Sequence, residues 1–491
     1  LEEMLNKGIS FSLYMTHGGT NWGHWAGANS PGFKPDVTSY DYDAPVSESG
    51  GATPKYHALR ESLAKYADKP LPAIPDSVPT ITIDRFILTE VAPLFDNLPS
   101  ARHDAEIRTM EEYDQGFGSI LYRTILPASG AERQLTINDP HDFAQIFVDG
   151  QYIGKLDRRL GEKDLTLPAV DKEASLDILV EAMGRINFGR AIKDFKGITD
   201  SVTISTPRGE TEKLSGWDVF NITDELGLYE AMKFKPLSGI GHSDRDRLPV
   251  GVYRGTFDVS RPADTFLDFS TWGKGLVYVN GYPLGRIWEI GPQQTLYTPG
   301  CWLREGENEI IVFDIVGPRE TKVEGLRSPI NNRLQKFDDT VRKLGAKIDF
   351  SDSKPALEHS LMSGNGWQEV KFPSPVKGRY VSIEMLSPIK KGDEAAIAEL
   401  YLKDGRGERL ERESWSIAYV DSEDTTGGNH TADKIFDLQE STYWSVHKGS
   451  KYPHNIIIDL GSEQTLSGLQ WLPRMEAGAP GAVKDIKVSV K

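Results

Sequence analysis

Cysteine is nearly absent: Cys301 is the only one in 491 residues. One thiol excludes an internal disulfide framework and a thiolate metal cluster, and it leaves the redox compartment open. No apolar stretch is long enough to cross a bilayer as a helix. Basic residues are in deficit, with 56 Lys and Arg against 72 Asp and Glu and a formal net charge of −16. That balance argues against a nucleic-acid or anionic-membrane partner and is compatible with a neutral ligand. His430, His447 and His454 lack metal-ligand spacing and read as surface residues. An initiator Met is missing as well. Leu1 opens in mid-helix, so the chain reads as part of a longer one, and a secretory leader would lie outside it. The length leaves room for three or four domains.

What the sequence does have is concentrated first in residues 1–66. Leu1, Met4 and Leu5 have helical spacing, and Gly8 suits a helix stop. Ile9, Phe11, Leu13 and Met15 then alternate with Ser10, Ser12, Tyr14 and Thr16, which predicts a strand. A helix leading directly into a strand fits the last repeat of an α/β barrel, and the loop after such a strand helps to build an active-site face. That loop holds Thr20, Asn21, Trp22, Trp25 and Asn29. Its indoles can offer flat apolar faces to a sugar ring, and its hydroxyl and amide groups can bond sugar hydroxyls. The alternative is a structural loop with its Trp packed inward. In Ser39-Tyr40-Asp41-Tyr42-Asp43-Ala44-Pro45 a two-residue period places Tyr40 and Tyr42 on one face and Asp41 and Asp43 on the other. Same-face carboxylates about 7 Å apart are compatible with an inverting acid/base pair, although loop Asp residues also cap backbone N–H groups. Thr53-Pro54 predicts a helix start, and Tyr56, Leu59, Leu63 and Tyr66 supply its apolar stripe.

Leu-Tyr-Met-x-x-Gly-Gly-Thr-Asn at Leu13–Asn21, Gly-Ala-Asn-Ser-Pro at Gly27–Pro31 and Thr-Ser-Tyr-Asp-Tyr-Asp-Ala-Pro at Thr38–Pro45 occur in one order and spacing. With them, residues 9–66 resemble the end of the catalytic barrel of family 35 glycoside hydrolases, the retaining β-galactosidases. The resemblance implies that Tyr14, Tyr40 and Tyr42 line a galactose pocket, with Asn21, Trp22 and Trp25 at its rim. It implies catalysis by two Glu, without a cofactor, at barrel positions upstream of Leu1. No Glu of the chain matches either motif, so the chain alone is expected to be inactive. A secreted, periplasmic or lysosome-like compartment is implied too. A lone barrel repeat would expose the apolar flanks that other repeats cover, so residues 1–66 are expected to be disordered or aggregation-prone by themselves.

Pro70, Pro72, Pro75 and Pro79 mark residues 67–79 as a linker. An internal repeat follows. Leu121-Tyr122-Arg123 recurs as Val252-Tyr253-Arg254, and Ile146–Gly154 recurs as Val277–Gly285 at the same spacing. Each copy contains a two-residue hairpin turn, Asp149-Gly150 or Asn280-Gly281. The expectation is two successive antiparallel sandwiches, residues 80–215 and 216–320. They resemble the galactose-binding-like jelly rolls that accompany the family 35 barrel, most of which only buttress it. Arg185 and Asn187, in Gly184–Gly189, can bond a ligand or tie down a turn. Asn221 and Asn429 stand in sequons short enough to arise by chance.

Residues 321–353 read as a charged linker with one helix, Leu334–Leu344. Beyond them, Val376–Glu384 and Ala396–Leu400 resemble the closing half of a discoidin-like (factor 5/8 type C) domain. Residues from Trp415, with Phe436–Trp444, Ile456–Gly461 and Leu472–Arg474, resemble its opening half. The reversed order predicts one circularly permuted domain at 354–491, or else two incomplete ones. Resemblance to sugar-binding and calcium-holding members implies a structural calcium near Asp437 and Thr442, whereas a capping Asp accounts for the same residue without a metal. Trp444 and Trp471 read as core.

The whole chain therefore reads as multidomain and mainly β: the last repeat of a (β/α)8 barrel, two jelly-roll sandwiches and a discoidin-like sandwich. Its expected partners are β-galactoside glycans, with no nucleic acid and no membrane insertion. The rival readings are a non-catalytic carbohydrate-binding sandwich protein, or a family 35 enzyme acting on glucosaminides or galactans.

Overall fold

The structure is a computed structural model describing the chain except residues 31, 42, 190, 206–210, 224, 244, 334–341, 346, 413, 425–429 and 476–479. The described residues form two compact units, residues 1–29 with 33–335 and residues 30–32 with 336–491. No described helix is long and apolar enough to cross a membrane.

The repeat in the sequence is a repeat of topology in the first unit. One six-stranded sheet runs, in spatial order, through Gln151–Asp157, Phe143–Val148, Ala174–Glu181, Ser119–Leu126, Trp217–Ile222 and Arg102–Asp104. The other runs through Tyr282–Trp288, Lys274–Val279, Gly306–Asp314, Gly251–Val259, Glu90–Pro93 and Lys235–Pro236. Each hairpin closes on the predicted turn. Asp149 and Gly150 have φ of 48° and 75°, and Asn280 and Gly281 have 50° and 86°. Both central residues are left-handed, which these residue types tolerate. A four-stranded sheet backs each large one: Asp164–Leu167, Arg133–Ile137, Val202–Ser205 and Thr211–Lys213 in the first sandwich, and Thr295–Thr298, Thr265–Asp268, Lys322–Leu326 and Ile83–Ile87 in the second.

Phe143–Val148 is buried at every residue, and so is Lys274–Val279. A strand covered on both faces is mostly apolar on both, and the exceptions here, Gln145 and Lys274, are hydrogen-bonded to the Ile315 carbonyl and to Glu181. Ala144, Ile146 and Val148 enter the core of the first sandwich. Phe143 and Phe147 point the other way and join Leu276, Tyr278, Ile311 and Phe313 of the second. The two large sheets thus pack on each other through a shared core.

The boundary between the sandwiches differs from the expected one. Ile83–Ile87 and Glu90–Pro93 were assigned to the first sandwich, but they pair with Lys322–Leu326 and with Gly251–Val259 of the second. Trp217–Ile222, expected in the second, pairs with Ser119–Leu126 of the first. The first sandwich is therefore inserted into the second. Lys322–Leu326 is a strand and not part of a linker. The sequon at Asn221 is structural, because its side-chain amide donates to the Tyr113 carbonyl at 2.7 Å. Asn429 lies outside the described residues.

In residues 1–66 the helices form as expected, at Glu2–Asn6 and Pro54–Ala64. Gly8 is left-handed at 63°, and Thr53 accepts from the Tyr56 amide at 3.3 Å as the N-cap. Neither helix buries a residue. The expected strand at Ile9–Met15 does not form: this stretch is irregular, and Ile9, Phe11 and Leu13 are exposed. Its alternation is that of a strand, but a strand needs a neighbouring edge for its backbone groups, and no described strand pairs with it.

The second unit is built on a seven-stranded sheet and a two-stranded one around one core. Ala356, Val381, Ile383 and Leu400 share that core with Trp444, Ile456, Trp471 and Val488, so both halves of the discoidin-like pattern build it together. Two long strands, Gln368–Pro388 and His454–Leu472, pair along much of their length and tie the halves to each other. Of the predicted helix, residues 334–341 lie outside the described residues, and Arg342–Leu344 is a strand paired with Ser416–Glu423. His454 is buried, not at the surface, with Nδ1 3.0 Å from Asp421 Oδ2. His430 is half-buried and stacks on Tyr443 with ring centroids 4.2 Å apart.

Candidate functional site

The loop after Met15 is fastened to both sandwiches. Its strand Gly27–Asn29 runs parallel to Arg185–Phe188 of the first sandwich. A Cβ at Gly27 would meet Asn187 Oδ1 at 2.4 Å, so a larger residue there would displace the Asn187 side chain. On the second sandwich, Arg286 N donates to Thr38 Oγ1 at 2.8 Å, Ser39 N donates to Gln293 Oε1 at 2.8 Å, and Arg286 Nη2 donates to the Asp36 carbonyl at 2.6 Å. His24 is buried beside this contact. Burial and the nearby Arg286 and Lys274 charges lower its pKa to about 3, so its imidazole is neutral.

A buried carboxyl that no motif flagged organises the loop. Glu48 accepts from Thr20 Oγ1 at 2.6 Å and from Ser39 Oγ at 3.0 Å. Burial raises its pKa to about 6, against the pull of those two hydrogen bonds. Glu48 N in turn donates to Asp41 Oδ2 at 3.0 Å, and Ala44 N donates to Asp41 Oδ1 at 3.2 Å. Asp41 therefore caps loop backbone. Asp43 pairs with Lys55 at 2.5 Å. Each of the two carboxylates has its own local partners.

The structure places the predicted sugar-contacting residues as follows. Tyr14 is 90% exposed, and Trp25 is 73% exposed with its ring 5.0 Å from Phe117. Trp22 packs 4.5 Å from Trp302 and 6.0 Å from Tyr297, against the core of the second sandwich. Asn21 is tied into the loop, its Nδ2 donating to the Val37 carbonyl at 3.2 Å. Tyr40 is half-buried, its amide donating to the Gly19 carbonyl at 2.9 Å. Tyr42 lies outside the described residues.

Arg185 ties down its turn: Nη1 donates to Glu111 Oε1 at 2.6 Å and to the Asp194 carbonyl at 2.9 Å. Beneath it lies an ion network that the sequence did not suggest. Lys196 is fully buried, and its ammonium donates to Asp142 Oδ2 at 2.6 Å, Asp194 Oδ2 at 2.8 Å and the Gly184 carbonyl at 2.6 Å. Arg158 Nη1 reaches the other oxygens of the same carboxylates at 2.7 and 2.8 Å. His141, Asp142 and Asp194 are close enough to hold a metal ion, but these two protein cations already compensate the carboxylates.

In the second unit a cleft of about 620 Å³ lies among loops, lined by Asn365, Lys390, Lys391, Asp393, Glu394 and Arg474. Asp437 is buried. Thr442 Oγ1 lies 2.8 and 2.9 Å from its two oxygens, close enough for its one hydrogen to serve either, and the Gln439 amide donates to Oδ1 at 3.0 Å. That same amide donates to Glu399 Oε1 at 2.8 Å. The other oxygen of Glu399 accepts from Arg412 Nη1. Burial holds the Glu399 carboxyl above the usual carboxylate range even so. Both residues of this ion pair escaped the sequence reading.

Residues 1–66 match the profile of glycosyl hydrolases family 35. Residues 108–223 match the first all-β domain of β-galactosidase, and residues 250–308 match a β-galactosidase galactose-binding domain. Residues 418–491 match the F5/8 type C domain, in the half read as its opening half. A β-galactosidase of Mus musculus is 36% identical over 340 residues, which cover 64% of this chain and 51% of the relative. One from Xanthomonas manihotis is 36% identical over 304 residues, covering 60% and 48%. One from Homo sapiens is 37% identical over 344 residues, covering 64% and 49%. The chain spans about half the length of the curated relatives it matches.

Proposed function

We propose that the chain belongs to glycosyl hydrolase family 35 and forms the C-terminal half of a retaining exo-β-galactosidase acting on terminal β-galactosyl residues of glycans. The observation that carries this reading is the match of residues 1–66 to the family, continued into two β-galactosidase domains in register with the observed sandwiches. In this reading Tyr14, Tyr40 and Tyr42 hold the galactose, and Asn21, Trp22 and Trp25 shape the rim. The exposure of Tyr14 and Trp25 supports it. Trp22 acts through the loop, which it pins to Trp302. The two catalytic carboxyls belong to the part of the relatives' length that this chain does not span, so the chain alone is inactive. Asp41 and Asp43, each engaged locally, do not replace them.

Hydrolysis of an aryl β-D-galactoside by the full-length gene product, followed by NMR, tests the proposal. The β-anomer is expected first, and Tyr14→Phe should lower kcat/KM about tenfold, as the loss of one substrate hydrogen bond does. An α-anomer first, or no hydrolysis of galactosides, would sink it. Release of a glucosamine or cleavage of a galactan instead would keep the family and change the substrate.

The discoidin-like unit binds carbohydrate in the same proposal, and the loop cleft at Asn365 and Arg474 is its place. Arg474→Ala should weaken retention on a galactose resin without changing the melting temperature. Unchanged retention would place binding elsewhere.

A further inference from the structure

We propose that Glu48 is a positioning residue of the galactose site, its carboxyl clamping together the two chain segments that carry Asn21 and Tyr40. This role rests on the reading that those two residues meet the sugar, and it adds the group that sets their places.

The two segments form a short antiparallel ladder. Thr20 stands opposite Ser39, the Asn21 amide donates to the Thr38 carbonyl at 2.8 Å, and the Tyr40 amide donates to the Gly19 carbonyl at 2.9 Å. Successive residues of such a ladder leave on opposite faces, and directly opposed ones share a face. Thr20 and Ser39 therefore belong to one face, and Asn21 and Tyr40 to the other. Glu48 occupies the first face. Its Oε1 accepts from Thr20 Oγ1 at 2.6 Å and its Oε2 from Ser39 Oγ at 3.0 Å, so one carboxyl spans both strands behind the residues read as sugar contacts. Its backbone holds the chain one step further on. Glu48 N donates to Asp41 Oδ2 at 3.0 Å, and Asp41 N donates to Ser39 Oγ at 3.3 Å. Tyr40 thus lies between two residues that Glu48 touches.

The clamp responds to protons. Glu48 is buried, and burial raises its carboxyl to about 6 against the pull of the two hydroxyls. Three titratable groups face it. The Asp41 charge, from the same loop, opposes ionisation, and the charge of His17, whose Nε2 lies 3.3 Å from the Glu48 carbonyl, favours it. Tyr297, from the second sandwich, is held neutral by burial and donates to Asp264 at 2.7 Å. A neutral carboxyl can accept from Thr20 and donate to Ser39, which completes the clamp below a pH of about 6. Above it a carboxylate stands beside Asp41 in a site shut off from water, and the clamp relaxes to hydrate it. Galactose binding needs the closed clamp, so it is linked to proton uptake by Glu48.

The test is the competitive inhibition constant of galactose against an aryl β-D-galactoside, measured from about pH 4.5 to about pH 7.5 on the full-length gene product. At the acid end Glu48→Gln, neutral and of the same shape, should match the wild type within about twofold, whereas Glu48→Ala should bind galactose about tenfold more weakly with a smaller change in kcat. As pH rises, the wild type should weaken about tenfold relative to Glu48→Gln, the effect of a one-unit pKa difference between the free and bound protein. Other carboxyls of the site titrate in both proteins and cancel in this ratio. A purely structural role would shift the melting temperature with pH and leave the ratio flat. A flat ratio therefore overturns the proposal, and so does a folded Glu48→Ala that galactose inhibits as it does the wild type. If Glu48→Ala does not fold, the pH dependence of the ratio decides alone. A wild type that hydrolyses no galactoside refutes the galactosidase reading and this role together; a hydrolysing wild type with a flat ratio refutes this role only.

Discussion

Lys196 offers the sharpest check on what holds the Arg185 turn of the first sandwich in place. Its ammonium has three hydrogens and three acceptors, two carboxylates and the Gly184 carbonyl. Lys196→Met keeps the aliphatic stem and deletes the charge. Asp142 and Asp194 would then share the single guanidinium of Arg158, and a balanced pair of cations and anions would become a buried excess of negative charge. Removing one member of a buried ion pair costs about 3–5 kcal/mol, mostly from the uncompensated partner. For a sandwich of roughly this size that is a fall of roughly 12–20 °C in its melting transition. Calorimetry with urea unfolding would measure it. Lys196→Met with Asp142→Asn should recover part of the loss, because it restores the charge balance; the coupling should be about 0.5–3 kcal/mol. Hydrogen exchange gives a local readout, in which the amides of Arg185–Phe188 should lose protection before the core strands do. A loss below about 1 kcal/mol, the worth of an exposed pair, would refute the reasoning.

Two further outcomes are expected. Glu48 has a pKa raised from 4.5 to about 6 when folded. A raised carboxyl stabilises the fold fully below the unfolded pKa, and that stability is lost as pH rises through the folded one, so ionisation costs about 2 kcal/mol by pH 7. Glu48→Gln cannot ionise, and its unfolding free energy relative to wild type should improve by about that amount between pH 4.5 and 7; a difference constant with pH would mean that the carboxyl is solvated. Residues 354–491 expressed alone should melt in one cooperative transition, since both halves fill one core; two transitions, or none, would mean that the halves are not one domain.

Much of the architecture was legible because its signals are local. Asp149-Gly150 and Asn280-Gly281 specify a hairpin within a few residues, and their recurrence with Tyr122 and Tyr253 exposed the doubled sandwich. The same dependence on local signals explains the misplaced boundary. Nothing in Ile83–Ile87 says that its partner is Lys322–Leu326, because the pairing is made by chain that arrives only after the whole first sandwich has been inserted. Ile9–Met15 shows the opposite error. Its alternation was read correctly as a pattern, but a pattern fixes which side chains share a face and not whether an edge is there to receive the backbone.

The candidate site divides along the same line. Sequence could gather Tyr14, Asn21, Trp22, Trp25 and Tyr40 into one neighbourhood because they are close in the chain. It could not say what each faces. Trp22 faces Trp302, and Thr20, read as a partner for sugar hydroxyls, converges with Ser39 on Glu48. Asp41 looked like half of a carboxylate pair and is a cap, since its oxygens meet the amides of Ala44 and Glu48 before any ligand could. Buried ionic residues were the hardest to see. Lys196 in Asp194-Phe195-Lys196-Gly197 and Arg412 in Glu411-Arg412 have the appearance of surface charge, and only burial turns them into fasteners. A motif names the residues that chemistry requires, whereas the groups that hold those residues in place come from distant chain. Their identity therefore follows from which carboxylates the fold buries.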